Sequence, residues 1–246
     1  MTKSALITGA NRGLGYEIAH QLGQSGVRTL IAARDADKGE QAAAELAAEG
    51  LEVHTVVLDV DSAASVTAAT EQVTKDHGRL DILINNAGIL PEATTPEAAK
   101  PFDLSLFRTT FETNFFGAVV VTQSFLPLLR QSPAARIVNV STTMGSLADQ
   151  TDPSSPYYDL VLPAYQTSKA ALNGLTIALA KSLAGTPIKV NSVCPGWVQT
   201  DLGGPANRAA APLRAEDAAR IAVTMALLPD DGPSGQFVDS NGTVPW

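Results

Sequence analysis

The sequence has 246 residues, of which 45% are hydrophobic and 17% are charged, a balance typical of a globular protein with a large core. A formal net charge of −8 argues against a surface that binds nucleic acid or anionic membranes. The single cysteine, Cys194, excludes an internal disulfide, and three scattered histidines lack metal-ligand spacing. Neither a signal-peptide pattern nor an apolar run of about 20 residues is present, so we expect a cytoplasmic protein with no membrane span.

The first part of the chain alternates apolar strands with helices. We predict strands at 3–8, 29–33, 53–58 and 80–84, and helices at 16–25, 36–49 and 63–77. This alternation indicates a parallel sheet with helices on both of its faces.

Three glycines separate the first strand from the first helix, in the pattern Gly9-x-x-x-Gly13-x-Gly15. A glycine-rich turn lets the backbone approach a phosphate, and the free N–H groups of the helix N-terminus attract the anion. The commoner dinucleotide spacing is Gly-x-Gly-x-x-Gly, and a tight turn without a ligand would look similar. The position directly after the first strand favours a nucleotide site.

The second strand ends at Ala33, followed by Arg34. Many dinucleotide-binding folds place an acidic residue here, against the adenosine ribose. An uncharged residue followed by a guanidinium instead suits a 2′-phosphate, which Arg12 of the glycine loop would also approach. The alternative is that these arginines are solvated and that Arg34 offsets Asp35 and Asp37. We expect NADP(H) rather than NAD(H).

Two further turns follow strands at the same predicted edge. Asp59 and Val60 follow the third strand, where the carboxylate would bond an adenine amino group or cap the helix that begins near Ser62. Residues 85–88, Asn-Asn-Ala-Gly, follow the fourth strand and suit a polar turn beside a ligand, although an Asx turn would look the same.

The rest of the chain continues the alternation around three predicted loops. We predict helices at 104–130 (with a bend expected at Pro127), 165–183 and 215–228, and strands at 136–140, 189–194 and 235–239. Residues 90–103, 145–163 and 203–212 are predicted to be loops, and the last of these is a candidate lid over the substrate.

Tyr165 and Lys169 are four residues apart at the start of a predicted helix, so they share one helical face. A nearby ammonium favours the phenolate and draws the phenol's pKa downward. On their own, the two residues are more typical of an ordinary amphipathic helix, because Tyr and Lys at this spacing are common.

Four features follow one another along the chain: the glycine loop, the Asn-Asn-Ala-Gly turn, the Tyr165/Lys169 pair and Pro195-Gly196. In this order they resemble the short-chain dehydrogenase/reductase family, and the resemblance covers essentially the whole chain. Residues 114–117, 194–198 and 235–238 are similar to its carbonyl reductase branch. The resemblance implies a single α/β Rossmann-type domain over 1–246, with a cofactor-binding half (1–88) and a catalytic half (89–246). It also implies a seven-stranded, mainly parallel sheet of order 3-2-1-4-5-6-7 and NADPH-dependent reduction of ketones or aldehydes.

The same resemblance implies roles for individual residues. Tyr165 would be the general acid, Lys169 would lower its pKa and bond the nicotinamide ribose, and Asn114 would hold a water in the proton relay. The residues that would contact the cofactor are Gly9, Asn11, Arg12, Gly13, Leu14, Gly15, Arg34, Asp59, Val60, Asn86, Ala87, Gly88, Tyr165, Lys169, Pro195, Gly196, Val198 and Thr200.

The catalytic hydroxyl departs from the family pattern Asn-x-Ser-Ser. Counting three residues on from Asn139 or three back from Gly145 reaches Thr142, and we predict that Thr142 bonds the carbonyl oxygen. Ser141 is the weaker alternative.

The segment between Thr142 and Tyr165 is longer than in the family's short form, and we expect a monomer or homodimer rather than a tetramer. Few charged residues lie in 145–163 and 203–212, which favours a neutral, apolar carbonyl substrate. Two other readings stay open: a dinucleotide-binding sensor without turnover, and a dehydratase or epimerase on the same scaffold.

Overall fold

A computed structural model describes residues 2–94 and 102–246. Within these ranges, one sheet is built from β1 (Ser4–Thr8), β2 (Arg28–Ala33), β3 (Val53–Val57), β4 (Ile82–Asn85), β5 (Arg136–Val140), β6 (Lys189–Val193), β7 (Phe237–Asp239) and β8 (Gly242–Thr243). The α-helices are α1 (Gly13–Gln24), α2 (Ala36–Ala48), α3 (Ala63–His77), α4 (Leu104–Phe111), α5 (Gly117–Leu129), α6 (Leu147–Thr151), α7 (Pro163–Ser182), α8 (Gly204–Ala210) and α9 (Ala215–Ala226).

The strand order is β3-β2-β1-β4-β5-β6-β7-β8, which confirms the predicted Rossmann-type α/β fold. All neighbouring strands are parallel except β7 and β8, which pair antiparallel through Val238 and Thr243. The predicted count of seven strands was therefore one too low in the described residues. Strand β8 has only two residues, too few for any alternation to be visible in the sequence.

The central strands are buried on both faces because helices cover both sides of the sheet. Ile7, Ile31 and Val138 belong to a core cluster with residues of α1, α2 and α9. Leu6 and Leu30, their neighbours in sequence, belong to a second cluster with residues of α3 and α5. Successive strand residues point to opposite faces, so near-continuous apolar strands are what this arrangement requires.

The predicted helix 104–130 needs one correction. It is interrupted by a π-helical turn at Glu112–Phe116, between α4 and α5. Pro127, where a bend was expected, lies inside α5, which continues to Leu129. A π turn adds one residue to a helical turn, and the apolar pattern of the sequence does not reveal it.

Two of the predicted loops contain helices. Helix α6 lies within 145–163, and α8 occupies most of the proposed lid at 203–212. In the loop predicted at 90–103, Pro91–Ala93 forms a 3-10 turn, and 95–101 lie outside the described residues. None of the helices described is both long and apolar enough to span a membrane.

Candidate active site

The predicted site residues converge on one edge of the sheet. Parallel strands end at the same edge, and ligands in such sheets bind beyond the carboxyl ends of the strands. The glycine loop follows β1, the 85–88 turn completes β4, Thr142 follows β5 and Pro195 follows β6. Helix α7 brings Tyr165 and Lys169 to the same place.

The glycine loop has the geometry that a bound pyrophosphate needs. Gly9 and Gly13 have φ values of +64° and +57°, in the left-handed region that favours glycine. A Cβ on Gly15 would lie 2.5 Å from Asn86 Nδ2 and 2.6 Å from the Gly9 carbonyl oxygen. Among the described residues no side chain caps the N-terminus of α1, where Arg12 is the N-cap, so the first amides of that helix are available to an anion. Asn11 and Leu14, both half-buried, complete the loop.

The end of β2 matches the environment expected for a 2′-phosphate. Ala33 is buried, whereas Arg34 beside it is exposed and forms no ion pair within the described part of the chain. Asp35 pairs with Lys38, at 3.1 Å between carboxylate and ammonium, and also caps α2. The backbone amide of Lys38 lowers the pKa of Asp35. Arg34 therefore forms no direct ion pair with Asp35, and its exposed side chain is compatible both with a phosphate partner and with the solvated arginine of the alternative.

Asp59 and Val60 sit between β3 and α3, as expected. Ser62 itself caps α3 by accepting from Ser65 N at 3.3 Å, so Asp59 does not serve as that cap. The Asp59 carboxylate accepts instead from the Asp61 amide and is half-exposed. Val60 packs against Gly117, where a Cβ would lie 2.9 Å from it.

The turn after β4 is bonded to the strand that carries the glycine loop. The backbone amides of Asn86 and Ala87 both donate to Thr8 Oγ1 at 2.9 Å. Asn86 Nδ2 donates to the Thr8 carbonyl oxygen at 2.8 Å. These bonds fix the two loops relative to each other, and Gly88 follows without a side chain.

Tyr165 and Lys169 are both buried. Lys169 Nζ lies 5.9 Å from the centre of the Tyr165 ring and donates to the Val140 carbonyl oxygen at 2.8 Å. Burial lowers the pKa of Lys169 to about 8. Burial, followed by the nearby Cys194, raises the pKa of Tyr165, the opposite direction to the one that the spacing to Lys169 predicted. At neutral pH the phenol therefore carries its proton.

Gly145 explains how α7 comes so close to the end of β5. A Cβ on Gly145 would lie 2.9 Å from the backbone carbon and the Cβ of Lys169. Any side chain at this position would push α7, and with it Lys169, away from the sheet.

Asn114 lies in the π-helical turn and is almost fully buried. Its Oδ1 accepts from the Ile89 amide at 2.8 Å, and its Nδ2 donates to the Ile89 carbonyl oxygen and to Ser168 Oγ. The residue therefore ties the turn after β4 to helix α7. A Cβ built on Gly88 would lie 3.4 Å from Asn114 Oδ1 and 3.5 Å from Lys169 Nζ, so these two polar atoms face the same small gap.

The two candidate hydroxyls have different surroundings. Thr142 is half-exposed, and its Oγ1 accepts from the Met144 amide at 3.2 Å. Ser141 is buried, and its Oγ has no partner among the described residues. Thr142 is therefore the more exposed of the two residues, and the Ser141 Oγ is the buried one.

The segment after β6 closes over the glycine loop. Gly196 has a φ of +83°, Val198 pairs with Leu213, and a Cβ on Gly13 would lie 3.3 Å from Thr200 Cγ2. Here the structure adds a residue that the sequence did not single out. Asp201 accepts from Arg12 at 3.1 Å and from Arg208 of α8 at 2.9 Å. No local pattern could reveal the pairing with Arg12, because 189 residues separate the two.

Comparison with known proteins agrees with this geometry. Residues 3–211 match the family model of the short chain dehydrogenases. This chain belongs to the short-chain dehydrogenase family. It is 41% identical over 209 residues to short-chain dehydrogenase anuI of Penicillium roqueforti, covering 81% of this chain and 80% of that one.

The carbonyl reductase branch supplies further relatives of this short-chain dehydrogenase. Carbonyl reductase (NADPH) 1 of Mus musculus is 34% identical over 289 residues, with 98% of each chain covered. The crystal structure of NADPH-bound carbonyl reductase from chicken fatty liver superposes with a TM-score of 0.82 at 28% identity, covering 100% of this chain and 99% of that one. The resemblance to the carbonyl reductase branch is confirmed, and the chain is an oxidoreductase of this family.

Proposed function

We propose that this chain is an NADPH-dependent reductase that converts a ketone or aldehyde into an alcohol, with Tyr165 as the proton donor. One observation carries the proposal: a protonated, buried phenol and an amine with a pKa of about 8 lie together at the sheet edge, beside the glycine loop. The phenol supplies the acid and the amine beside it, which titrates near the working pH, supplies a proton reservoir, the two parts that general acid catalysis needs here.

The cofactor preference rests on charge. Arg34 is an exposed guanidinium beside the uncharged Ala33, and Arg12 lies in the adjacent glycine loop. A planar guanidinium binds phosphate through two parallel hydrogen bonds, which suits the 2′-phosphate of NADPH. Both relatives named with NADPH support the same choice.

When bound, the reduced nicotinamide supplies the hydride for the carbonyl carbon. Tyr165 gives its phenolic proton to the carbonyl oxygen, and Thr142 Oγ1 donates a hydrogen bond that orients this oxygen. Lys169 holds a proton that can replace the one Tyr165 loses, because its pKa lies near neutrality. A water in the gap between Asn114 Oδ1 and Lys169 Nζ would connect that proton to solvent.

An apolar carbonyl compound is the proposed substrate class. The segment between Thr142 and Tyr165 exposes Leu147, Tyr158, Leu160 and Val161. Large apolar side chains left exposed beside a site are a frequent sign of an apolar ligand.

The test is a panel of apolar and charged ketones and aldehydes, with NADPH and NADH run in parallel and the reduced nicotinamide absorbance followed. We expect turnover of apolar carbonyls that is faster with NADPH. Equal or faster rates with NADH would overturn the cofactor assignment. Tight NADPH binding without oxidation across the panel would overturn the reductase and favour a sensor.

A further inference from the structure

The N-terminus of α7, where Tyr165 lies, is capped from a distant part of the chain. Leu162 is the N-cap and has no oxygen in its side chain, and Pro163 has no amide hydrogen. The Gln166 amide bonds to the Leu162 carbonyl oxygen at 2.8 Å. Within the first turn, only the amides of Ala164 and Tyr165 therefore still need acceptors.

Glu92 supplies both acceptors. Its Oε1 accepts from the Ala164 amide at 3.0 Å, and its Oε2 accepts from the Tyr165 amide at 2.8 Å. Both oxygens of one carboxylate are thus used on adjacent backbone amides, more than 70 residues away in sequence. Hydrogen bonds to an ionised acceptor are about twice as strong as neutral ones, and a negative charge at a helix N-terminus is favourable.

Glu92 also belongs to the short segment that holds the other parts of the site. Asn86 at its start is bonded to Thr8, beside the glycine loop. Ile89 in its middle is bonded through both backbone groups to Asn114. Glu92 at its end is bonded to the Tyr165 amide, so one segment joins the cofactor turn, Asn114 and the proton donor.

Glu92 acts on Tyr165 through the backbone. Its carboxylate bonds the Ala164 and Tyr165 amides in the first turn of α7, and the same helix carries Lys169 one turn later. Loss of these bonds would therefore disturb the part of α7 that holds both side chains.

We propose that Glu92 is a positioning residue for the reaction, which fixes the backbone of Tyr165 relative to the cofactor turn; this inference rests on the proposed reductase function. Glu92 touches no reacting atom and acts through Tyr165. Its removal should impair the chemical step far more than cofactor binding, because the glycine loop and Arg34 do not contact it.

The test compares Glu92→Gln and Glu92→Ala with Glu52→Gln. The glutamine has one acceptor oxygen, so one of the two amides loses its partner, and alanine leaves both without one. Glu52 pairs with Arg28 near the start of β2, at the opposite end of the sheet, so Glu52→Gln makes the same chemical change away from the site. The measurements are kcat, the KM for the carbonyl substrate, the Kd for NADPH by fluorescence, and the pH dependence of kcat.

We expect kcat to fall about tenfold in Glu92→Gln and further in Glu92→Ala, with the Kd for NADPH within about twofold of wild type, because proton transfer depends on position. The limits of the pH profile should stay the same in both variants, because Glu92 bonds the backbone of Tyr165 and not its phenol. Glu52→Gln should change neither kcat nor the Kd for NADPH. An unchanged kcat, or a parallel loss of NADPH binding and kcat, would overturn the proposal.

Hydrogen exchange at the Ala164 and Tyr165 amides separates this inference from the proposed function. Faster exchange at these two amides in Glu92→Ala than in Glu52→Gln supports the role of Glu92 in holding the Tyr165 backbone, whether or not the protein turns over a carbonyl. Unchanged exchange overturns that role. Absence of turnover in the wild type would overturn the reductase function, while the exchange result still decides whether Glu92 holds the Tyr165 backbone.

Discussion

Two groups of buried polar side chains lie near the carboxyl ends of β4, β5 and β6, and their hydrogen bonding differs. The inner layer consists of Asn85, Asn139, Thr176 and Ser192, joined by bonds of 2.8 Å from Asn85 to Asn139, from Asn139 to Thr176, and between Thr176 and Ser192. The edge layer consists of Ser141, Tyr165 and Lys169. Among the described residues, neither the Ser141 Oγ nor the Tyr165 hydroxyl has a hydrogen-bond partner.

The difference in hydrogen bonding indicates that the inner layer stabilises the fold and that the edge layer serves the reaction. A buried polar group without a partner costs free energy, so it persists where something other than stability maintains it. The inner layer fixes three strands to α7 with almost all of its polar atoms paired; Asn85 Oδ1 is the exception in that layer. In the edge layer the Tyr165 hydroxyl has no protein partner in the described part of the chain and is left for a substrate, whereas the Ser141 Oγ is buried. We expect mutations of Tyr165 and Lys169 to lower activity more than stability, and mutations of the inner layer to do the reverse.

The largest effect on activity is expected from Lys169→Met, which keeps the length of the side chain but removes the amine. The rate of reduction should fall about 10²–10⁴-fold, because the proton reservoir beside Tyr165 is lost. Protein stability should change little, because relief of the buried amine and loss of its hydrogen bond to the Val140 carbonyl oxygen oppose each other.

The pH dependence of stability checks the same substitution. The folded-state pKa of Lys169 is lowered to about 8, so between pH 8 and about 10 the unfolded chain binds more protons than the folded one. The free energy of unfolding contributed by this group should therefore rise across that window in the wild type. The rise should be absent in Lys169→Met, and denaturant titrations at several pH values measure it. An identical pH dependence in both proteins would contradict the buried-amine assignment.

The inner layer should show the reverse pattern. Asn139→Ala leaves Asn85 Nδ2 and Thr176 Oγ1 each short of one buried partner, and the free energy of unfolding should fall by about 2–4 kcal/mol. Activity per folded molecule should fall less than in Lys169→Met. The exposed Asn241→Ala serves as the control for urea denaturation. A change in Asn139→Ala no larger than in the control would show that the layer is not a scaffold.

Removing either of the two hydroxyls that follow β5 should change kcat less than Lys169→Met does. Thr142→Ala should lower kcat about 10–100-fold, because a hydrogen bond to the carbonyl oxygen is lost. Ser141→Ala should leave kcat within a few-fold of wild type, because its Oγ is closed off from the surface. Steady-state kinetics on one carbonyl substrate measure both. An inactive Ser141→Ala with an active Thr142→Ala would reverse the assignment.

The smallest effect is expected at the cofactor's adenosine end. Arg34→Ala should weaken NADPH binding about tenfold while leaving NADH binding unchanged, because only NADPH carries the 2′-phosphate. Arg12→Ala should act in the same direction but less, since Arg12 is also paired with Asp201. Lys38→Ala, in the next helix, is the matched loss of a cation. Equal weakening of NADH and NADPH by Arg34→Ala would exclude this residue as the phosphate partner.

The sequence predicted the fold and the chemical groups at the sheet edge better than it predicted the hydrogen-bond and ion-pair partners of those groups. Apolar periodicity was sufficient for β1 to β7 and for most of the long helices. Tyr165, Lys169 and the glycine loop lie at one edge of the sheet, as their motifs predicted, while their roles stay predictions. Local patterns did not reveal the π turn around Asn114, because a single inserted residue leaves the apolar pattern almost unchanged. Helix α8 was missed because its Gly-Pro start and small residues also describe a loop.

Bonds between residues that are far apart in the sequence were the other feature that the sequence did not predict. The bonds from Glu92 to Tyr165 and from Asp201 to Arg12 depend on how distant segments are brought together, and no spacing in the sequence encodes them. The sign of the Tyr165 pKa shift was wrong for a related reason. The sequence showed Lys169 four residues away but not the burial that raises the pKa of the phenol.

Tyr165→Phe tests the division between the two layers most directly, with NADPH oxidation and thermal unfolding measured on the same preparation as the wild type. We predict that oxidation with a carbonyl substrate falls about 10²–10⁴-fold, that NADPH still binds, and that the midpoint of unfolding does not decrease, because the lost hydroxyl has no protein partner. Retained turnover, or a loss of stability as large as that of Asn139→Ala, would contradict the account.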